Sequence, residues 1–492
     1  MQRFTLLLHV IIMFSQLPLK AQQIEKGYFN PKDSGNCYLA IPPLSGKIKG
    51  TLVLFAGFTG MQRLLGETKL HNVAFGNDML TIFAPTYNHL YASPKAIENI
   101  NTILRHAVSK YHLDTTRIAF AGFGIPGNII IRYAELCFEK PEQFPVRPRA
   151  VIGVDCNLDL PELWRWSERQ VQQNFNREDV ETGKFLLGTL KEQLGMPTDN
   201  PAAYAAVTPY QRAIKSTGHE QYLKNVPVRL YYDTDIEWRI NNNRQGYDDT
   251  NLPEGSDFIC RLRALGNTDA AFVSAKHPGY KSNGIRTVTT LSIIDEIDCI
   301  RWLKEKMNIF DAATWVPPYT LSVPDKWGTE RFDFPVEFAP GIPYKGVEDL
   351  RFAPGWGETN SPEHWSYTFL WWLEGQPVIN AASIQQHLTE YYNGLVGRNI
   401  ISRKIPEDKL VPLKVQITSA KTQPDDIATY TGTVYMLNYM AQTPITLNCI
   451  IHLRYCSAQQ RTAAFFEISP RPYTDVIWKT MNGLWTGFSC GK

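Results

Sequence analysis

The feature that most constrains this chain is an alternation. Between Gly50 and about Lys306, short apolar runs trade places with stretches of helical periodicity. Thr51–Phe55, Leu80–Ala84, Arg117–Gly122, Ala150–Val154, Val228–Tyr232 and Ala271–Ala275 read as strands buried on both faces. Ser93-Pro94 opens a helix, with Ser as cap and Pro in the first turn. Its apolar positions, Ile97, Ile100, Ile103, Leu104, Ala107, Val108 and Tyr111, share one face. Asn128–Phe138 is predicted to be the next helix. Thr287–Lys306 is predicted to close the unit as another, with Ile293, Ile297 and Ile300 on one side. Strands alternating with helices require crossover connections, hence an α/β fold with a mostly parallel sheet. The roughly 70 residues between Asp155 and Val226 carry helical patterns and no strand, too long for a plain crossover. Residues 157–226 are therefore expected to form a helical cap over the strand ends.

The rest of the chain is patterned differently. Pro317, Pro318, Pro324, Pro335, Pro340 and Pro343 exclude a long helix over 310–343, which is expected to be an ordered linker. Ala381–Leu395 has a helical stripe, Ile384, Leu388, Tyr391 and Leu395. Period-two alternation follows at Leu413/Val415/Ile417, Tyr430/Val434/Met436 and Leu447/Cys449/Ile451/Leu453. Ala463–Ile468 is a further strand, and Thr474–Phe488 a terminal helix. Residues 344–492 thus form a smaller α+β domain with antiparallel strands. Eight of the 12 Trp lie after residue 310. Trp365/Tyr367/Phe369/Trp371 alternate as one buried strand face does, although exposed rings there would bind sugars.

At the other end, Arg3 precedes an apolar stretch, Phe4–Phe14, too short to span a bilayer. With Leu19-Lys20-Ala21 it reads as a secretory signal over 1–21, cleaved near Ala21 and delivering a secreted or periplasmic protein that starts near Gln22. No other stretch is apolar enough to cross a membrane. The 50 Lys and Arg balance the 48 Asp and Glu, so charge gives no reason to expect nucleic acid. Eight Cys are too few and too dispersed for a metal site; Cys456 and Cys490 are the pair to examine for a disulfide.

In an open parallel sheet, chemistry gathers at the carboxyl ends of the strands. Arg117–Gly122 runs into Phe123-Gly124-Ile125-Pro126-Gly127. Val228–Tyr232 ends in Asp233-Thr234-Asp235, and Ala271–Ala275 in Lys276-His277-Pro278-Gly279. Thr51–Phe55 ends in Ala56-Gly57-Phe58-Thr59-Gly60. In this order of glycine-rich loop, elbow, cap, acid and histidine, residues 45–306 resemble the α/β-hydrolase family. There a strand turns sharply into a helix at G-x-S-x-G, with the serine exposed. The resemblance assigns the nucleophile position to Gly124, the acid to Asp235 with Asp233 as near alternative, and the base to His277. It assigns the oxyanion-hole amides to Phe58 and Ile125. The serine is missing, and Pro126 replaces the second motif glycine. Gly124 has no side chain to attack with, so no acyl-enzyme can form there.

Asp155 is an alternative acid or a helix cap, and His89 reads as a loop residue. Gly122-x-Gly124-x-x-Gly127 matches the dinucleotide fingerprint, yet no acidic residue stands about 20 residues on at a strand end. No cofactor and no metal are expected. Three functions follow. The first is an exported hydrolase-fold protein with a degenerate site, binding a small ester, peptide or glycan rather than cleaving it. The second is an active esterase or peptidase using water activated by His277, or a relocated hydroxyl such as Thr59. The third is a glycan-binding protein acting through its C-terminal aromatics.

Overall fold

The computed structural model describes residues 22–29, 36–58, 60–312 and 314–491. The expected signal segment and Thr59 lie outside the described residues. The chain divides into two compact units, Met1–Ile309 and Phe310–Lys492.

The first unit is built on eight strands: β1 (Glu25–Tyr28), β2 (Cys37–Ile41), β3 (Gly50–Ala56), β4 (Met79–Pro85), β5 (Ile118–Phe123), β6 (Ala150–Val154), β7 (Val228–Tyr232) and β8 (Ala270–Ser274). Their order in the sheet is β1-β2-β4-β3-β5-β6-β7-β8. The pairs from β4 to β8 are parallel; β2 pairs antiparallel with both β1 and β4. Among the described residues ten α-helices accompany them: α1 (Met61–Glu67), α2 (Leu70–Phe75), α3 (Pro94–Tyr111), α4 (Gly124–Glu139), α5 (Leu160–Gln173), α6 (Arg177–Leu194), α7 (Pro201–Val207), α8 (Ile236–Asn243), α9 (Leu252–Ala264) and α10 (Glu296–Lys306). β3 and β5 are buried at every position, because helices cover both faces. Val53, Phe55 and Phe120 pack toward one helical layer, and Leu52, Leu54 and Ala121 toward the other. Ser93 caps α3 by accepting a hydrogen bond from the Ala96 amide at 3.2 Å.

Helices α5, α6 and α7 fill the interval between β6 and β7. Their inward residues, Leu163, Trp164, Leu186, Leu190 and Tyr204, form a separate core that takes in Leu90, Tyr91 and Ile125. This is the helical cap, and it rests on the start of α4. The strand order, the cap and the tight β5–α4 turn make the unit α/β-hydrolase-like.

One expected helix is shorter than its periodicity suggested. Residues from Thr287 to Ile294 make only a single 3-10 turn, Leu291–Ile293, and α10 begins at Glu296. The Asp295 side chain accepts the Asp298 amide, which sets the N-terminus there. Ile297 consequently points outward, whereas Ile300 is buried.

The second unit holds β9 (Tyr319–Thr320), β10 (Gly328–Phe334), β11 (Gly346–Phe352), β12 (Tyr367–Glu374), α11 (Ala381–Arg403), β13 (Lys414–Ser419), β14 (Ala428–Asn438), β15 (Thr443–Cys456), β16 (Arg461–Ser469), α12 (Val476–Thr486) and β17 (Ser489–Cys490). Seven of these strands form an antiparallel sheet in the order β10-β11-β12-β16-β15-β14-β13. The proline-rich stretch expected to be a linker supplies the edge strand β10. Pro324 and Pro335 flank that strand and leave its ladder uninterrupted. Tyr367, Phe369 and Trp371 point to the face that α11 covers, and Leu370 and Trp372 to the opposite face with Trp485 of α12. These aromatics are core residues. Cys456 and Cys490 form a disulfide with Cα atoms 5.6 Å apart. Cys137, Cys156, Cys299 and Cys449 are buried thiols, and Cys260 is exposed.

Candidate functional site: a hydrolase-like elbow without a nucleophile

β5 is extended to its last residue, Phe123 (φ −138°), and α4 starts at once with Gly124 at φ +53°. A residue with a Cβ is strained there, and glycine is not. The turn is tight enough that a Cβ on Gly127 would lie 2.2 Å from the Cys156 sulfur, so a glycine is needed for α4 to approach β6. Pro126 sits in the first turn of α4, where its missing N–H costs no ladder bond. Its ring fills the space beside Gly57, 2.7 Å from where a Cβ on that glycine would stand. Thus the elbow closes onto the loop after β3 through a proline.

The space over Gly124 belongs to a residue that the sequence did not single out. A Cβ on Gly124 would meet the Thr289 methyl at 3.0 Å, and next the Asn157 side-chain oxygen at 4.0 Å. Thr289 lies in the segment between β8 and α10, and its hydroxyl donates to Oδ2 of Asp155. Asp155 follows β6 and is itself held in the left-handed region, φ +45°. Four groups fix it. Arg239 of α8 pairs with Oδ1 at 3.3 Å, both side chains being almost fully buried. Asn251 donates from one amide nitrogen to both the Asp155 carbonyl (3.1 Å) and Oδ1 (3.2 Å). Thr289 completes the set. The arrangement around the elbow is therefore glycine, threonine and aspartate. Threonine has no group able to take up a proton at neutral pH, so the chain Gly124–Thr289–Asp155 cannot act as a general-base relay.

The sequence-assigned acid and base lie elsewhere in the hydrogen-bond network. Asp235 accepts the Trp238 amide at 3.0 Å as the cap of α8 and pairs with Arg286 at 2.8 Å. The amide bond first and the guanidinium second hold its carboxyl below the usual range. Asp233 shares Arg286 at 3.2 Å. Arg286 in turn lies over the Trp238 ring, 4.4 Å from its centre. His277 is exposed, and its Nδ1 is 3.5 Å from the Pro278 carbonyl oxygen. No hydrogen bond or ion pair joins His277 to Asp235; the resemblance pairs them, and Arg286 takes the carboxylates instead. Phe58 is 48% exposed and meets Phe185 of the cap edge-to-face at 5.8 Å. Ile125 packs into the cap core. His89 contacts the Ser93 hydroxyl at 3.2 Å, as expected of a loop residue.

Beside the elbow is a cavity of about 500 Å³, within the range of small-molecule sites. Ile125, Asp155 and Thr289 form part of its wall; Phe58, Asp235 and His277 do not. Eight carboxylates and four basic side chains line it, with Trp166 and Trp238. Several of the acids are already engaged: Asp249 with Arg169 at 2.7 Å, and Asp179 with Gln245 at 2.9 Å. Glu254, in the first turn of α9, is different. Its Oε2 is buried and has no partner. Burial pushes its pKa up to about 7, with the charges of Glu162 and Asp159 adding to the rise. Burial likewise raises Asp159 to about 6, although it accepts amides from Arg212 and Glu162. One end of the cavity thus brings together the carboxylates of Asp159, Glu162 and Glu254, of which Glu254 keeps an oxygen without a donor. Among the described residues no cluster has the make-up of a metal site.

No protein-family model matches the chain, and no curated protein matches it. Solved structures similar to it include a fungal esterase from Rhizomucor miehei (TM-score 0.38, 14% identity, covering 59% of this chain and 85% of its own). Carboxyl esterase 2 from Tuber melanosporum gives TM-score 0.34 and 14% identity over 59% of this chain and 83% of its own. A hormone-sensitive lipase from a metagenome library gives 0.33 and 10% over 58% and 87%. The fold assignment made above stands on the strand order and the elbow of this chain.

Two predictions follow from the geometry. Asp155→Ala leaves Arg239 buried without its counter-ion and is expected to lower stability by about 3–5 kcal/mol in chemical denaturation. Asp235→Asn, at an exposed site, is expected to cost far less. Equal losses would mean that Asp155 is not the organising acid. For Glu254 the sign is set by its raised pKa. From about pH 4.5, where an unfolded glutamate releases its proton, to about pH 7, the folded state binds more protons, so its relative stability falls as pH rises. Glu254→Gln should therefore be more stable than the natural protein at pH 8 and no more stable at pH 4, read from melting temperatures at the two pH values.

Proposed function

We propose that this protein uses an α/β-hydrolase-like scaffold to bind, and not to cleave, a polar small molecule in the cavity beside Gly124. The observation that carries this reading is the Thr289 methyl group standing where a nucleophile on residue 124 would need room. Covalent catalysis requires a nucleophile, a base that receives its proton and a third group that orients the base. The first position here is glycine, the second is threonine, and the third is bound to Arg239. The alternative of a water activated by His277 and Asp235 finds no support in their contacts, which are with Pro278 and Arg286. The amides at the start of α4, including that of Ile125, lack helix-ladder acceptors and are suited to hold a ligand oxygen.

The ligand class is set by the cavity wall. The surplus of carboxylates at the Glu254 end calls for hydrogen-bond donors, and the two indoles for a flat or partly apolar body. A glycan, or a peptide carrying an amino group, meets both demands; a simple ester meets the first poorly. Export through the N-terminal leader belongs to the same reading. The Cys456–Cys490 disulfide supports it, since such bonds persist mainly in oxidising compartments. Among the described residues no helix is long and apolar enough to cross a membrane.

The test is an assay of the natural protein and its His277→Ala variant on short p-nitrophenyl esters. Turnover at the background rate in both is expected. Enzymatic turnover that disappears with His277→Ala would replace binding with hydrolysis.

A further inference from the structure

The second unit carries a separate small site. On β11 the residues Glu348, Leu350 and Phe352 stand opposite Trp371, Phe369 and Tyr367 of β12, so all six belong to one face of the sheet. Apart from Glu348, which is fully buried, these six are aromatic or aliphatic. A carboxylate in such a place breaks the apolar pattern and needs its hydrogen bonds satisfied. One oxygen is: Oε1 accepts Trp371 Nε1 at 2.9 Å. The other, Oε2, is buried without a well-formed hydrogen bond, although the Tyr391 hydroxyl stands beside the carboxyl. Glu348 borders a cavity of about 70 Å³ walled by Phe352, Trp356, Trp365, Tyr367 and Tyr391. Trp356 meets Phe352 at 4.8 Å and Trp365 edge-on at 5.7 Å, so the rings stand at steep angles to one another. Burial raises the Glu348 carboxyl to about 7, against the opposing pull of the Trp371 and Tyr391 hydrogen bonds and of the Arg398 charge.

We infer that this cavity binds the cationic head of a small organic ammonium compound. Three observations converge on that class. The buried carboxyl, with Oε2 in no well-formed hydrogen bond, favours a donor or a positive charge. Electron-rich ring faces attract cations, and more strongly when desolvated. The volume is far below the roughly 300–1,000 Å³ of a drug-sized site and suits a head group of a few heavy atoms. It is too small for a sugar ring, which separates this site from glycan binding. The two charged residues at the mouth, Glu330 and Arg398, are exposed and opposite in sign, leaving Glu348 as the net charge that a ligand meets. The Arg398 guanidinium already lies 4.3 Å from the centre of the Phe338 ring, a cation held on an aromatic face at the same mouth.

The inference is independent of the reading of the first unit. It is tested on the full-length protein by titrating trimethylammonium chloride against tert-butanol, a neutral molecule of similar size, at constant ionic strength, with tryptophan fluorescence and calorimetry as readouts. Saturable binding of the ammonium, with tert-butanol weaker by about tenfold or more, is expected. Glu348→Gln keeps an acceptor for Trp371 while removing the charge, and should weaken ammonium binding by about tenfold or more. Trp356→Leu removes one wall at a partly exposed position and should also weaken it, which keeps the test open if Glu348→Gln does not fold. Equal binding of the neutral molecule, or no saturation up to about 100 mM ammonium, weaker than the millimolar scale of the feeblest specific sites, would overturn the inference. So would unchanged affinity in a folded variant.

Discussion

A single buried carboxylate organises the carboxyl end of the first sheet. Asp155 leaves β6 in a left-handed conformation and binds Arg239 of α8, Asn251 at the head of α9 and Thr289 of the segment before α10. The first two lie in the β7–β8 connection, and Thr289 lies beyond β8. Charges this deeply buried are stable only when paired and hydrogen-bonded, so the three segments are held to one geometry. Thr289 is the consequence that matters for function. Its hydroxyl is fixed to Asp155, and the rotamer that makes this bond turns its methyl toward Gly124.

Steric and electrostatic features of the elbow therefore agree. The glycine removes strain from a turn that requires positive φ, the proline seals the turn against the loop after β3, and the threonine closes the space above. A reactive site stores strain and keeps room for an oxygen; on the binding reading proposed above, the elbow has relaxed the strain and used the room. What remains beside it is a cavity with fixed polar walls, an architecture suited to recognition.

Much of the scaffold was legible in the sequence because periodicity reports burial. β3 to β8 are apolar runs, and α3 shows both its cap and its stripe. β1 and β2 were not predicted: Glu25–Tyr28 is short and polar, and its pairing with Cys37–Ile41 is tertiary information. The expected helix from Thr287 failed because a string of Thr and Ser residues ahead of Asp295 prefers local side-chain caps to helix. The segment expected to be a linker, 310–343, holds β10, because prolines exclude helices but tolerate an edge strand.

The site was legible in part. The elbow residues Gly122 to Gly127 announce a turn, and Asp155 stood out as a possible acid by its place after a strand. Asp235 and His277 also occupy strand ends, but position along the chain does not reveal a competing arginine, and Arg286 takes both Asp233 and Asp235. Thr289 carries no signal of its own, since what places it is a hydrogen bond to a residue 134 positions away. The Glu348 cavity was hidden for a similar reason. Its carboxylate reads as an ordinary polar position on an edge-proximal strand until the register with Trp371 is known.

The central claim is that the Thr289 methyl occupies the space of the missing nucleophile, and a double-mutant cycle measures it directly. Gly124→Ala is compared in the natural background and in Thr289→Ser, which keeps the hydroxyl and deletes the methyl. The added Cβ is predicted to destabilise less in the serine background, with a coupling of about 0.5–3 kcal/mol. Equal destabilisation in both backgrounds would contradict the account.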